Sequence, residues 1–181
     1  MVSALPDRIL VTPVRAEDAA ELAEMLNAII VRGGSTAYEE PFTADQLAAA
    51  MLTGPNVLRC VVARDEQSGS LLGFQTLCRS DALPDGVVDI ATFTRPGLTR
   101  RGVGSALFAM IRRFATNRGL RAINATIRAD NISGLAFYSK LGFVDHHIQH
   151  GVPLKTGQLV DRVCKRFTPL STTALGNLSD S

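Results

Sequence analysis

The segment from Val87 to Arg118 constrains the fold of this chain more than any other part of its sequence. A β-rich run, Val87 to Thr94, is followed by a Pro-Gly turn, and a helix is predicted over Gly102 to Arg118. Another β-rich run, Ala122 to Ile127, follows the helix. The segment therefore predicts a β-α-β unit in the middle of the chain. The helix has an apolar stripe at i, i+3, i+4, i+7, i+8 and i+11, formed by Val103, Ala106, Leu107, Met110, Ile111 and Phe114.

Further strands and helices are predicted on both sides of this unit. Apolar alternation and turn residues predict strands at 8–14, 57–64, 71–78, 143–148 and 159–167. Helical spacing predicts helices from residue 19 onward, over 44–52 and over 132–140. Hairpins before a β-α-β unit indicate a mixed α/β sheet with helices packed on its faces.

The composition excludes several classes of protein. The 181 residues are 46% hydrophobic and 20% charged, which excludes a disordered or fibrous chain. No apolar run reaches the roughly 18 residues of a membrane helix, and residues 1–11 lack the apolar core of a secretory signal. Cys60, Cys78 and Cys164 are odd in number, and we expect reduced, buried thiols in a cytoplasmic protein. We expect one domain over 1–168 and a flexible tail over 169–181.

Positive charge is concentrated between Arg95 and Ala129. This stretch has eight arginines and no Asp, Glu or Lys, and the net charge of +2 leaves −6 for the other residues. The pattern indicates either a compact anionic ligand or a solvated basic helix face, and the second reading is favoured for Arg112, Arg113 and Arg118. An aromatic content of 6% without Trp argues against a nucleic-acid surface.

The junction before the central helix has the properties of a phosphate-binding loop. The first N–H groups of a helix lack intrahelical partners, and the macrodipole adds about half a positive charge there. Gly102 and Gly104 would let an anion approach the backbone, and Arg100 and Arg101 add full charges. The dinucleotide fingerprint fails, because Leu107 stands where its third glycine belongs, and no Walker loop is present. A tight turn with glycines for packing is the alternative.

A second motif runs from Asn131 to Phe143 and contains Phe-Tyr-Ser-Lys-Leu-Gly-Phe. Part of it fits the buried face of a short helix, but the hydroxyl of Tyr138 needs a partner if it is buried. Together with the segment from Thr99 to Gly104, this motif resembles the GNAT acetyltransferase superfamily. That segment matches Gln/Arg-x-x-Gly-x-Gly/Ala at both glycines and departs from it at Thr99. The element order is similar over 9–167.

The resemblance implies a mostly antiparallel sheet of six to seven strands, splayed at its centre, with about four helices. It implies transfer of acetyl from acetyl-CoA to an amine, without a metal. The pantetheine would pair with the strand around Phe93 and Thr94, and Asn131 would contact the pantetheine or its sulfur end. Tyr138 would protonate the leaving thiolate. The pyrophosphate would lie beside Arg100 against the amides of Arg101, Gly102, Val103, Gly104, Ser105 and Ala106.

The candidate base is Asp89, which is the single carboxylate between Gly86 and Arg128. Its strand resembles that of phosphinothricin-type acetyltransferases, which have Glu at this position. The residues leave two readings open: Asp89 faces the site and acts directly or through water, or it is exposed on its strand. The loop before residue 43 resembles the acceptor side of the same subgroup, which implies contacts from Thr36, Tyr38, Glu39 and Phe42. A solvated loop is the favoured alternative for Glu39 and Glu40.

Three histidines, His146, His147 and His150, lie on a predicted strand. Neither a cysteine nor a paired carboxylate motif completes a metal site with them, so we expect a surface strand.

We expect an acetyl-CoA-dependent N-acetyltransferase in which a small or amino-acid-like primary amine attacks directly. Two alternatives remain: a protein or peptide N-acetyltransferase, which needs an open groove, and a non-catalytic acyl-CoA-binding regulator on the same fold. Neither a nucleic acid nor a membrane is an expected partner. The oligomeric state is open, with a homodimer through the late strands as one form.

Overall fold

The computed structural model describes residues 8–97 and 102–169. A short 3-10 turn precedes α1, and a five-residue π-helical turn, Ala48–Leu52, follows α2. The elements in chain order are β1 (Ile9–Pro13), α1 (Ala19–Arg32), α2 (Ala44–Leu47), β2 (Val57–Asp65), β3 (Leu71–Cys78), β4 (Val87–Thr94), α3 (Val103–Asn117), β5 (Ala122–Arg128), α4 (Ile132–Lys140), β6 (Val144–Pro153) and β7 (Leu159–Phe167).

The seven strands form one mixed sheet in the order β1-β2-β3-β4-β5-β7-β6. All neighbouring strands are antiparallel except β4 and β5, which are parallel. The parallel pairing covers only three residue pairs and ends at Asp89 and Asn124. Beyond this point β4 and β5 separate. The predicted fold class, with seven strands and four α-helices, is confirmed.

The two faces of the sheet carry separate apolar cores. α3 and α4 cover one face, called here the α3 face, over a core that contains Leu107, Ile111 and Tyr138. α1 and α2 cover the opposite face, called the α1 face, over a core that contains Leu22 and Leu47. The helices therefore enclose the centre of the sheet from both sides.

Strand β4 sends its side chains alternately to these two faces. Val88 and Ile90 belong to the core of the α3 face, whereas Ala91 and Phe93 pack into the core of the α1 face. The same alternation places Asp89 on the α1 face. Its neighbours at even positions, including Thr92, lie on the α3 face.

The local predictions hold at most boundaries. Thr43 caps α2 with a capping box: its hydroxyl accepts from the Gln46 amide at 3.2 Å, and its amide donates to the Gln46 side chain at 2.9 Å. The helix predicted over 44–52 is α-helical only to Leu47, because the next turn is a π turn. Strand β6 extends five residues beyond the predicted end at residue 148.

Within residues 8–97 and 102–169, no helix has the length and apolar character to cross a bilayer. Most of the predicted tail, residues 170–181, lies outside the described residues.

Candidate functional site

A cavity of about 960 Å³ opens where β4 and β5 separate. Its walls come from the second half of β4, the end of β5, the first turns of α3 and α4, and the loop that follows α1. Because the two strands part inside the sheet, groups from both faces of the sheet reach one cavity. Its volume is in the range of small-molecule and cofactor sites.

The first turn of α3 lies in the cavity wall. Gly102 is the N-cap with φ +91°, in the left-handed region that favours glycine. The Ala106 amide donates to the Gly102 carbonyl at 2.9 Å, so the intrahelical ladder begins at residue 106. The amides of Val103, Gly104 and Ser105 come before it and have no intrahelical acceptor. Of the predicted phosphate contacts, the Ala106 amide is therefore already occupied. Arg100 and Arg101 lie outside the described residues, as does Thr99.

Gly104 also brings the first turns of α3 and α4 together. A Cβ at this position would lie 2.5 Å from Cε2 of Phe137. A larger residue would therefore force the two helices apart or move the Phe137 ring.

Asn131 caps α4 and connects it to the loop after α1. Its Oδ1 accepts from the Gly134 amide at 2.9 Å and from the Ser133 hydroxyl at 3.1 Å. Its Nδ2 donates to the Ser35 carbonyl at 3.0 Å. Asn131 thus stands in the cavity wall between the two helix N-termini and the loop. Its predicted contact with pantetheine stays a prediction.

Tyr138 reaches the cavity from the α3 face. Its side chain is buried, and its hydroxyl lies 2.9 Å from Oγ1 of Thr92. Gln75, which is fully buried, donates from Nε2 to the same Oγ1 at 2.7 Å. Burial raises the pKa of Tyr138, although the hydrogen bond with Thr92 opposes the rise. The phenol therefore stays protonated at neutral pH and is available as a proton donor.

Asp89 reaches the cavity from the α1 face and is partly buried in its wall. Its Oδ1 accepts from Nδ2 of Asn124 at 2.7 Å. Burial raises the pKa of the Asp89 carboxyl, and the Asn124 hydrogen bond and the charge of Arg166 oppose the rise. Of the two readings that the sequence left open, the structure shows Asp89 facing the cavity. A carboxylate with a raised pKa is a stronger base than an exposed one.

The outer half of β4 offers backbone to the cavity. Because the pairing with β5 ends at Asp89, the segment from Ile90 to Thr94 has no strand partner on that side. Phe93 is buried and packs its ring 5.0 Å from Phe74, while Thr94 is exposed. An extended ligand could hydrogen bond to this free edge as a strand would.

The loop after α1 supplies two of the four predicted acceptor residues to the cavity, Thr36 and Tyr38. Thr36 is buried, and its hydroxyl accepts from the Tyr38 amide at 3.1 Å. Glu39 and Phe42 do not line the cavity.

Glu39 and Phe42 fix the loop from outside. The Glu39 carboxylate accepts from the Lys155 amide at 3.0 Å, and Glu40 forms an ion pair with the Lys155 side chain. The backbone of Phe42 is bonded in both directions to the Asn27 side chain, at 2.9 and 2.8 Å. Neither Glu39 nor Glu40 lines the cavity, and both carboxylates pair with Lys155 at the surface, which agrees with the solvated-loop reading and not with a contact to the acceptor.

Sequence reasoning missed several polar residues of the site. Thr126, Arg128, Gln149 and Arg162 line the cavity, and Asn124 lies behind Asp89. Arg128 is neutralised by Asp130 at 2.6 Å. Strand β5 carried a signal: Asn124, Thr126 and Arg128 alternate with apolar residues, which marks a strand with one polar face.

The histidines lie on the exposed edge strand β6, and Nδ1 of His150 is 2.9 Å from the Asp161 carboxylate. Among the described residues, no cluster of three or more His, Cys, Asp or Glu side chains could hold a metal ion. All three cysteines are free thiols.

Comparisons with known proteins give the same architecture. The model of the acetyltransferase (GNAT) family matches residues 22–143. A phosphinothricin N-acetyltransferase from Streptomyces coelicolor is 27% identical over 139 residues, which are 75% of this chain and 81% of that protein. A phosphinothricin acetyltransferase from Sinorhizobium meliloti in complex with AcCoA has a TM-score of 0.78 at 22% identity, over 91% of each chain. The Salmonella typhimurium protein yncA, solved with its cofactor acetyl-CoA, has a TM-score of 0.76 at 16% identity, over 91% of this chain and 95% of that one. At these identities the two structures show that the fold is shared.

The close approach at Gly104 makes a stability prediction. Gly104→Ala should lower the free energy of unfolding by about 1 kcal/mol, because overpacking against Phe137 outweighs the better helix propensity of Ala. Urea unfolding measures the change. Phe137→Leu in the same chain should relieve much of it, and Ser105→Ala, on the exposed side of the same turn, should have little effect. An unaltered midpoint for Gly104→Ala would contradict the packing.

Tyr138 makes a titration prediction, which is accessible because the chain has two tyrosines and no Trp. In a Tyr38→Phe variant, absorbance at 295 nm reports Tyr138 alone. Burial disfavours the tyrosinate, so the folded protein should show almost none at pH 10, where a free tyrosine is about half ionised. The signal should appear only as circular dichroism shows unfolding at higher pH. Half-ionisation of the folded protein near pH 10 would show that the hydroxyl is solvated.

Proposed function

Because the chain belongs to the GNAT family of acetyltransferases, we propose that it transfers acetyl from acetyl-CoA to the primary amine of a small, amino-acid-like acceptor. The observation that carries this proposal is the separation of β4 and β5 after Asp89. It brings a helix N-terminus, a protonated phenol and a partly buried carboxylate to one cavity. Each of the three has a task in the transfer of an acyl group from a thioester to an amine.

The cradle for acetyl-CoA is the N-terminal turn of α3. We assign the pyrophosphate to the free amides of Val103, Gly104 and Ser105, with positive charge from Arg100 and Arg101, which precede this turn in the sequence. The pantetheine would pair with the free edge of β4 at Phe93 and Thr94, and its sulfur end would lie near Asn131. Two neighbours of the same fold were solved with acetyl-CoA, which supports this cosubstrate.

The reaction begins with an ammonium that must lose a proton before it can attack. Asp89 accepts this proton, directly or through a water, and the neutral amine attacks the thioester carbonyl carbon. The C–S bond then breaks, and the electron pair leaves with the sulfur. Tyr138 donates its proton to that sulfur, and the second proton of the attacking nitrogen, lost as the amide forms, restores the phenol. Asp89 then releases its proton to solvent, so each turnover sets one proton free.

The two groups act from opposite faces of the sheet. Asp89 approaches from the α1 face and Tyr138 from the α3 face, so the thioester between them can meet a base on one side and an acid on the other. Burial disfavours the tyrosinate, and burial of the sulfur beside Tyr138 would likewise disfavour the thiolate. The proton transfer therefore stays feasible although the phenol is the weaker acid in water.

Two features support a small acceptor that carries an anionic group. The loop after α1 is held at Asn27, Asn131 and Lys155, so it covers the acceptor side instead of leaving a peptide groove. Arg162 lines the cavity, and within residues 8–97 and 102–169 its side chain makes no ion pair and no hydrogen bond. A free guanidinium is a binding group for a carboxylate. The similarity to a phosphinothricin N-acetyltransferase agrees with an amino-acid-like acceptor.

We also propose a single domain over residues 1–168, a cytoplasmic location and a homodimer formed through β6. The free cysteines and the need for acetyl-CoA support the location. β6 is an edge strand with exposed Val144 and Ile148, which supports the dimer.

The proposed activity is tested by assaying a panel of primary amines for release of free thiol from acetyl-CoA. Amino acids should be acetylated faster than amines of the same length without a carboxylate. Coenzyme binding without thiol release from any amine would favour the non-catalytic alternative. Acetylation of peptides in preference to free amino acids would favour a protein acceptor.

Asp89→Asn should lower kcat/KM for the amine by about 10²–10⁴-fold, because general base catalysis is lost. The KM for acetyl-CoA should change little, since Asp89 lies on the other face from the cradle. Steady-state assays as a function of pH measure both, and the Asp89-dependent acid limb should disappear. Asp85→Asn, an exposed carboxylate outside this cavity, is the matched control. Equal kcat/KM for Asp89→Asn would remove Asp89 from the chemistry.

Arg162→Gln should raise the KM for an amino-acid acceptor by about tenfold, as a charged hydrogen bond contributes about 1.5–3 kcal/mol. The KM for an amine without a carboxylate should stay the same, and Arg162→Lys should recover part of the loss. These are initial-rate measurements at saturating acetyl-CoA. A tenfold rise for both acceptors would show that Arg162 does not read the carboxylate.

A further inference from the structure

Three residues on adjacent strands form a hydrogen-bonded row that ends at the proposed base. Asp89 on β4 is paired in register with Asn124 on β5, and Asn124 is paired with Arg166 on β7. Nδ2 of Asn124 donates to Oδ1 of Asp89 at 2.7 Å, and Nε of Arg166 donates to Oδ1 of Asn124 at 2.9 Å. We propose that Asn124 is a positioning residue: it orients the Asp89 carboxylate toward the acceptor amine and holds Arg166 one side chain away from it. This inference rests on the function proposed above.

The chemistry of the donors fixes the orientation of the Asn124 amide. Arg166 Nε–H can only donate, so the atom that faces it must be the amide oxygen. The NH₂ group therefore points toward the cavity, where it donates to Asp89 and, at 3.1 Å, to the hydroxyl of Thr126. Asn124 is 2% exposed, so a reversed amide would leave buried groups unpaired.

This row leaves one oxygen of Asp89 for the substrate. Oδ1 is held by Asn124, and within residues 8–97 and 102–169 no hydrogen bond is made to Oδ2. A carboxylate that is fixed through one oxygen can accept a proton on the other in a defined direction. Directional alignment of this kind is a large part of what an active site contributes to rate.

The same row also sets the distance between the Arg166 guanidinium and the Asp89 carboxylate. An Arg in direct contact with a carboxylate lowers the carboxyl pKa by about 1–3 units and makes a weak base. Arg166 forms no ion pair with Asp89, because Asn124 lies between them. The positive charge of Arg166 therefore opposes the rise that burial causes in the Asp89 pKa, without direct contact with the carboxylate.

The other titratable groups near Asp89 do not supply a positive charge in place of Arg166. Cys78 is its register partner on β3, and Tyr38 and Tyr138 lie near it in the cavity wall. All three are neutral when protonated, and Arg166 is the cation whose charge lowers the Asp89 pKa. Burial is the effect that raises the pKa of Asp89, and Asn124 and Arg166 are the two that lower it.

The test reads the Asp89 carboxyl directly by ¹³C NMR of protein labelled at aspartate, with the Asp89→Asn variant assigning the signal. Asn124→Leu removes the donor and separates Arg166 from the row, so the titration midpoint should rise by about one pH unit. Arg166→Gln keeps a donor for the Asn124 oxygen but removes the charge, so the midpoint should rise by a smaller amount. Arg162→Gln removes a charge from the same strand four residues away and should shift it least.

Kinetics with an amine that the wild type acetylates gives the second readout. Asn124→Leu should lower kcat by about tenfold or more, leave the KM for acetyl-CoA within twofold, and move the acid limb of kcat/KM upward with the NMR midpoint. In an Asp89→Asn chain, Asn124→Leu should add no further loss, because the group it positions is gone. Arg166→Gln, which keeps the hydrogen bond, should retain most of kcat.

The results separate this inference from the proposed function. An unmoved Asp89 midpoint in both Asn124→Leu and Arg166→Gln would overturn the inference, as would an equal loss of kcat with and without Asp89. If Asn124→Leu fails to fold, Arg166→Gln still decides, since it substitutes a partly buried side chain at the far end of the row. Failure of the wild type to acetylate any amine would instead refute the proposed function, whatever the midpoints are.

Discussion

The structure depends on the short pairing between β4 and β5. Three residue pairs join these strands, and beyond Asp89 and Asn124 the two strands no longer pair with each other. A sheet that separates at its centre leaves unpaired backbone and a polar interior, both of which are costly unless a ligand or polar side chains satisfy them. Elsewhere the described sheet pairs each strand along most of its length. The opening is therefore a feature that the rest of the fold has to support, and the two helical layers do so by packing on opposite faces.

The opening also explains why the polar residues of this protein lie where they do. On β5, Asn124 and Thr126 alternate with residues buried in the core of the α3 face, so the polar side chains all point to the α1 face. The helices of that face pack chiefly on β2–β4, which leaves the β5 and β7 surface for polar groups that include Arg162 and Arg166. The cavity is thus apolar where the sheet is covered and charged where it is not. This division suits a ligand with a long neutral arm and an acceptor with charges.

The sequence was sufficient to predict most helices and strands and the phosphate-binding side of the site, because both depend on local patterns. Periodicity and turn residues located α3, α4 and the central strands, and the glycines at 102 and 104 located the free helix amides. The contacts of Glu39 with Lys155 and of Asn124 with Arg166 join residues far apart in the chain. They depend on strand register and on how a loop closes, and neither follows from local patterns. Ala106 was included among the phosphate contacts because the exact start of a helix cannot be read from sequence.

The short side chain of Asp89 affects how far its carboxylate reaches into the cavity. The sequence resemblance to phosphinothricin-type enzymes implies a Glu at this position in them, and Glu extends one methylene farther from the backbone. An Asp that is also held back by Asn124 at 2.7 Å keeps its carboxylate close to the strand. Under the proposed function, the acceptor amine would have to come deeper into the opening between β4 and β5, or a water would have to bridge the remaining distance. Thr126, whose hydroxyl accepts from Asn124 and lies in the cavity wall, is well placed to hold such a water.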